Sequence, residues 1–187
     1  MRIAISNLAW DVQEDEEVAR LLARNSIDAI DIAPGKYFPE PPSAEPAEIA
    51  RVRGSWADRG VAITGMQALL FGTTGLNLFG APESRSAMRD RLAAICRIGE
   101  GLGATRLVFG SPRNRDRGAL TDAEAGVVAI PFFRELGDIA ALHGVVICIE
   151  PAPPEYGGNF LTTTQQTASM VREIDHPAIR LHLDTGI

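Results

Sequence analysis

Short apolar runs alternate with longer amphipathic segments six times along this 187-residue chain. Each repeat takes roughly 30–40 residues, the size of one strand–helix unit. Two strands joined through a helix point the same way, so the alternation implies a parallel sheet. The apolar runs fall at residues 3–8, 27–33, 61–67, 105–110, 145–150 and 179–184. The first lies almost at the N-terminus, which suits a buried opening strand. Helical spacing occupies residues 13–25, 47–59, 83–101 and 163–174, and a further segment from the Thr121–Glu124 capping box to about His143. Pro131 falls inside that last segment and predicts a kink or two shorter helices. Between the third strand and its helix, residues 68–82 are glycine-rich and long enough to form a lid or a pocket wall.

Two architectures accommodate six such units. One is an open doubly wound sheet; the other is a (β/α)8 TIM-barrel type with about six βα units present. The first loses weight because Asn7-Leu8-Ala9-Trp10 is no glycine fingerprint for a dinucleotide, and no phosphate-binding P-loop occurs. The chain is expected to form one α/β domain over residues 1–187, incomplete at its C-terminal side. Hydrophobic residues make up 45% and charged residues 22%, as in ordinary globular domains. A formal charge of -6 argues against a nucleic-acid partner, which needs a basic face. No run of the roughly 18 apolar residues that span a bilayer occurs, so no membrane partner is expected. The two cysteines, Cys96 and Cys148, read as buried thiols in a reducing compartment. With no signal-peptide pattern at the start, a cytoplasmic protein is expected.

Strands five and six both end in an acid, Glu150 and Asp184. In a parallel sheet those ends lie on one side, where ligands bind. Side chains alternate along a strand, so Val146, Cys148 and Glu150 share one face, and Arg180, His182 and Asp184 share the matching one. The aliphatic face, including Leu183, meets the helices. Neighbouring strands lie about 4.8 Å apart, close enough for two acids to clamp one cation. Carboxylates suit Mn²⁺ or Mg²⁺, and an added imidazole favours Mn²⁺, Co²⁺ or Zn²⁺.

Other residues at strand ends are candidates for contact with a substrate. Asn7 and Trp10 follow strand one, Gln67 ends strand three, and Asn159 lies in the loop after strand five. His182 faces the interior two residues before Asp184, as an orienting group or as a hydrogen-bonded core histidine. After strand four, Arg113, Arg115 and Arg117 alternate in a loop with Asp116. Arginine pairs with phosphate in a bidentate way, so they could hold a phosphorylated or acidic ligand; the plainer reading is a solvated loop with Asp116 as counter-charge.

Ile147-Cys148-Ile149-Glu150-Pro151, Asn159-Phe160-Leu161, His182-Leu183-Asp184-Thr185-Gly186 and the opening Ile3–Trp10 together resemble the sugar-phosphate isomerase/epimerase group, the xylose-isomerase-like superfamily of TIM barrels. The resemblance covers the whole chain but only six of the eight units of such a barrel. It implies one divalent metal held by Glu150 and Asp184, with a His and a Glu from strands seven and eight that have no counterpart here. It implies proton transfer next to a carbonyl through an enediolate, with Glu150 as acid and base and a small sugar, sugar phosphate or related hydroxy-ketone as substrate. Many members carry a substrate-binding His three residues after the Asp; that position is Ile187 here.

The alternatives are an endonuclease IV-like metal-dependent hydrolase and a non-catalytic, incomplete barrel. The hydrolase needs several zinc ions and more than the three histidines this chain has. An incomplete barrel leaves unpaired edge strands, a liability relieved by oligomerisation, so a homo-oligomer is a further expectation.

Overall fold

A computed structural model describes residues 2–185. Six strands form one parallel sheet: β1 (Ile5–Ser6), β2 (Ala29–Ile32), β3 (Ala62–Met66), β4 (Arg106–Phe109), β5 (Val146–Ile149) and β6 (Ile179–Leu181). They are joined by α1 (Asp15–Arg24), α2 (Pro46–Ala57), α3 (Pro82–Leu102), α4 (Asp122–Leu142) and α5 (Thr164–Ile174). Strand order follows chain order from β1 to β6, each strand parallel to the next. A doubly wound sheet reverses direction at a switch point, and this sheet never does. The fold is therefore the TIM-barrel type with six βα units, as the repeat pattern implied.

The aliphatic alternation explains which face the helices cover. Ile30, Ile32, Leu107, Ile147, Ile149 and Ile179 are fully buried. Phe109 of β4 meets Phe133 of α4 edge-on at 5.4 Å between ring centres, and Phe133 meets Phe132 at 5.5 Å. The opposite, concave face carries Asp31, Thr64, Val108 and Cys148, and it lines a cavity of about 450 Å³ with His182 and Arg106.

Local signals place the helix ends. Thr121 Oγ1 accepts from Glu124 N, and Glu124 Oε2 accepts from Thr121 N at 2.8 Å, so α4 starts on the expected reciprocal cap. Thr163 caps α5 through Gln166 N, while Gln166 Oε1 reaches back to Thr162 N. Gly103, at φ 80°, closes α3 in the left-handed conformation.

Of the two outcomes expected at Pro131, the split into two shorter helices does not occur, since α4 runs on through it as one helix. Proline deprives the carbonyl four residues back of its donor. That residue is Val127, which is 76% exposed, and Pro131 is exposed too. The lost bond lies on the wet face, while Phe132, Phe133 and Leu136 stay buried on the other. Leu183 also departs from its assigned place. β6 ends at Leu181, and Leu183 is 66% exposed rather than packed under the helices.

At the β1 edge a polar knot closes the core. Trp10 Nε1 and Tyr37 Oη donate to the two oxygens of Asp15 at 2.8 Å each, and Trp56 Nε1 donates to Tyr37 Oη at 3.1 Å. Trp10 and Trp56 meet edge-on at 6.2 Å. Trp56 is 1% exposed. Trp56→Ala is expected to cost about 3–5 kcal/mol of stability, measured by urea denaturation; a loss under about 1 kcal/mol would mean that the knot does not close the core.

Candidate functional site

The strand-five acid sits where the sequence places it, just past the last paired residue of β5. Glu150 N donates to Phe109 O at 3.1 Å, so the backbone still tracks β4. Beyond Leu181, His182 N donates to Ile149 O at 2.8 Å, which holds the β6 end beside the β5 end. This register brings His182 Nε2 to 3.5 Å from Glu150 Oε1. Asp184 follows two residues later and lies close enough for its charge to act on Glu150.

Glu150 is half-buried, and burial is the main cause that pushes its carboxyl above the ordinary 4.5. His182 opposes the shift, Asp184 adds to it through like charge, and Arg115 opposes it. The result is a carboxyl that holds its proton more readily than a solvated one, with an imidazole and a second acid next to it.

The arginine loop is not uniformly solvated. Arg113 is exposed, but Arg115 is 1% exposed and its Nη2 donates to Glu150 O at 2.6 Å. Burial lowers the Arg115 pKa to about 10, and the Glu150 charge pulls it back up. Arg117 Nε donates to Asn159 O at 2.6 Å and pairs with Asp122 at 3.6 Å. Asn159 itself is exposed and ties two loops, taking Arg117 N on Oδ1 at 3.0 Å and donating to Asp116 Oδ1 at 2.6 Å.

Asn7 and Trp10 are buried in the fold. Asn7 is 1% exposed, and its Oδ1 accepts Ala33 N at 2.7 Å, pinning the β1 end to β2. Trp10 is 8% exposed and belongs to the polar knot at the β1 edge. Gln67 is half-buried at the end of β3, its N–H donating to Ile32 O at 2.9 Å. The structure thus gathers Glu150, His182, Asp184 and Arg115; Asn7, Trp10 and Gln67 stay at the ends of β1 and β3. Ile187 lies outside the described residues.

Two features escaped the sequence. Gly110 ends β4, and a Cβ there would stand 2.2 Å from Glu150 Oε2, so the carboxylate rests where any other residue would carry a side chain. A glycine directly after a strand was the available signal. Lys36 Nζ donates to the carbonyls of Asn7, at 2.8 Å, and Trp10. Its side chain also lines a cavity of about 940 Å³ with Leu8, Phe71 and Leu76. That cavity opens over the β1–β3 ends and does not touch Glu150. Among the described residues, no three His, Cys, Asp or Glu side chains gather in a group that could hold a metal. Among the described residues, no helix is long and apolar enough to cross a membrane.

A family model described as xylose isomerase-like TIM barrel matches residues 19–186. No curated protein sequence matches the chain. Among solved structures, D-psicose 3-epimerase from Clostridium cellulolyticum H10 with D-tagatose superposes with a TM-score of 0.76 at 16% identity, covering 97% of this chain and 62% of that one. IOLI protein with a binding zinc atom gives 0.74 at 16% identity, covering 99% and 63%. AP endonuclease family 2 from Brucella melitensis gives 0.68 at 16%, covering 98% and 68%. At these identities the likeness shows the fold. The chain spans about three-fifths of the length of the first two structures, at 62% and 63%.

The raised carboxyl of Glu150 carries a sign. Below the ordinary 4.5 both folded and unfolded states are protonated there, and the contribution to stability is fully present. As pH rises through the higher folded value, the native state must bury a charge, and that contribution is lost. Glu150→Gln should therefore melt above the parent at about pH 8, with the gap narrowing toward about pH 4. Melting curves at the two pH values check this, and a constant gap would count against it.

Proposed function

Because the chain belongs to the xylose isomerase-like TIM barrel family, we propose that it carries the β5–β6 part of the active site of a divalent-metal-dependent isomerase or epimerase acting on a small sugar, sugar phosphate or hydroxy-ketone. The supporting observation is the pairing of Glu150 and Asp184 at adjacent strand ends, with His182 Nε2 at 3.5 Å from Glu150. The two carboxylates are oxygen donors that fit Mn²⁺ or Mg²⁺, and an imidazole added to them would favour Mn²⁺, Co²⁺ or Zn²⁺. Burial of Glu150 fits the same use, because a cation would offset the cost of keeping that carboxylate charged.

Glu150 and Asp184 would hold the cation, and the cation would supply Lewis acidity to substrate oxygens. The chain's own residues account for the proton. Glu150 takes it from the carbon next to the substrate carbonyl and, in an isomerase, returns it to the neighbouring carbon on the same face; an epimerase needs a second acid on the opposite face to deliver the proton there. His182 Nε2 sits 3.5 Å from Glu150 Oε1, where an imidazole carrying a proton favours the ionised carboxylate.

Titration with Mn²⁺ by calorimetry tests the site. Glu150→Gln and Asp184→Asn are each expected to weaken binding about tenfold or more, at least about 1.4 kcal/mol. Binding indifferent to both substitutions would sink the site. Incubation with a panel of ketoses and ketose phosphates in D₂O is expected to show deuterium entering the carbon next to the carbonyl; hydrolysis products alone would point to the hydrolase chemistry instead.

A further inference from the structure

Arg115 is an uncomfortable residue by the standards of stability. It is 1% exposed, and among the described residues its Nε and Nη1 have no hydrogen-bond partner. Nη2 alone is used, donating to Glu150 O at 2.6 Å. The guanidinium lies over the Phe109 ring, 5.8 Å from its centre. Burying a guanidinium with unmatched donors costs stability, and an unbranched apolar side chain of similar length would fill the space without that cost. What the arginine accomplishes is found at Glu150.

The whole of Glu150 is seated on the segment that runs from the end of β4 into the next turn. Its N–H donates to Phe109 O at 3.1 Å. Its carbonyl receives Arg115. Its carboxylate lies over Gly110, where a Cβ would come within 2.2 Å of Oε2. The seat is itself anchored: Asn114, 5% exposed, donates from Nδ2 to Leu76 O at 2.8 Å, and its carbonyl accepts Leu78 N at 2.8 Å. The turn is thereby tied to the long loop after β3 and has little freedom to drift.

We propose that Gly110 and Arg115 are positioning residues for Glu150: Arg115 fixes its backbone from behind, and Gly110 leaves the space in which its carboxylate lies. The functional weight of this rests on the metal-site reading above, whereas the positioning itself does not. A displacement of even an ångström at such a carboxylate matters, because outer partners that aim a ligand typically change metal affinity 10–100-fold when removed.

Two measurements on the full chain test it. In protein labelled with ¹³C at the glutamate carboxyl, the Glu150 resonance is assigned by its loss in Glu150→Gln. Gly110→Ala and Arg115→Met are expected to shift it, Arg115→Lys to restore it toward the parent position, and Arg113→Met, which removes the same charge from an exposed site in the same turn, to leave it in place. No shift in the first two, or an equal shift in Arg113→Met, overturns the proposal; if Arg115→Met does not fold, Gly110→Ala and Arg115→Lys decide. In Mn²⁺ titrations, Gly110→Ala and Arg115→Met are expected to weaken binding about 10–100-fold in the parent and less than about twofold in the Glu150→Gln background. An equal loss in both backgrounds overturns action through Glu150. If Glu150→Gln itself leaves Mn²⁺ binding unchanged, the metal reading fails while the carboxyl resonance still decides the positioning.

Discussion

Parallel pairing in chain order is the constraint on which the rest of this structure depends. Each strand hydrogen-bonds the next in the same direction, from Ile5 opposite Ile30 to Ile149 opposite Leu181. A parallel pair cannot close through a tight hairpin, so each connection returns through a helix, and the helices bury the aliphatic face. The same geometry gathers every strand's C-terminal end on one rim. Glu150 and Asp184 are 34 residues apart by their numbering, yet the charge of one acts on the other there, because the β5–β6 pairing continues as His182 N to Ile149 O.

The rim then sets a conflict between packing and chemistry. A carboxylate prefers water, and Glu150 is held half out of it. Three neighbours decide how tolerable that is: His182 and Arg115 favour the charge, and Asp184 opposes it. None of the three is an ideal partner in isolation. His182 stands at 3.5 Å, and Arg115 gives its short bond to the carbonyl rather than to the carboxylate. Glu150 is thus left partly unsatisfied by protein groups. A group in that state is available to a cation or a proton, whereas one closed in a tight ion pair is not.

How much of this was legible in the sequence varies with the range of the interaction. The caps at Thr121 and Thr163 were readable because their partners are three residues away. The faces of β5 were readable because alternation is local, and Ile147 and Ile149 are indeed fully buried. Pro131 does not split α4, because its cost depends on which side of the helix meets water, and the sequence near it does not show that Val127 is exposed. Leu183 misled for a similar reason: alternation presumes that the strand continues, and β6 ends two residues earlier. The arginine loop shows the limit most plainly. Arg113, Arg115 and Arg117 look equivalent in a row, yet one is exposed, one is fully buried and one braces a neighbouring loop.

By itself the sequence determined the element order, the parallel sheet and the acid directly after β5, since each follows from periodicity and the reach of a few residues. Tertiary structure alone decided that Arg115 turns inward, that Gly110 leaves room for a carboxylate, and that Asn7 and Trp10 serve the core. Those outcomes depend on which distant segment arrives beside each side chain. For Glu150 the arrivals are Phe109 and Arg115, 41 and 35 positions earlier by number, and no local pattern encodes such a meeting.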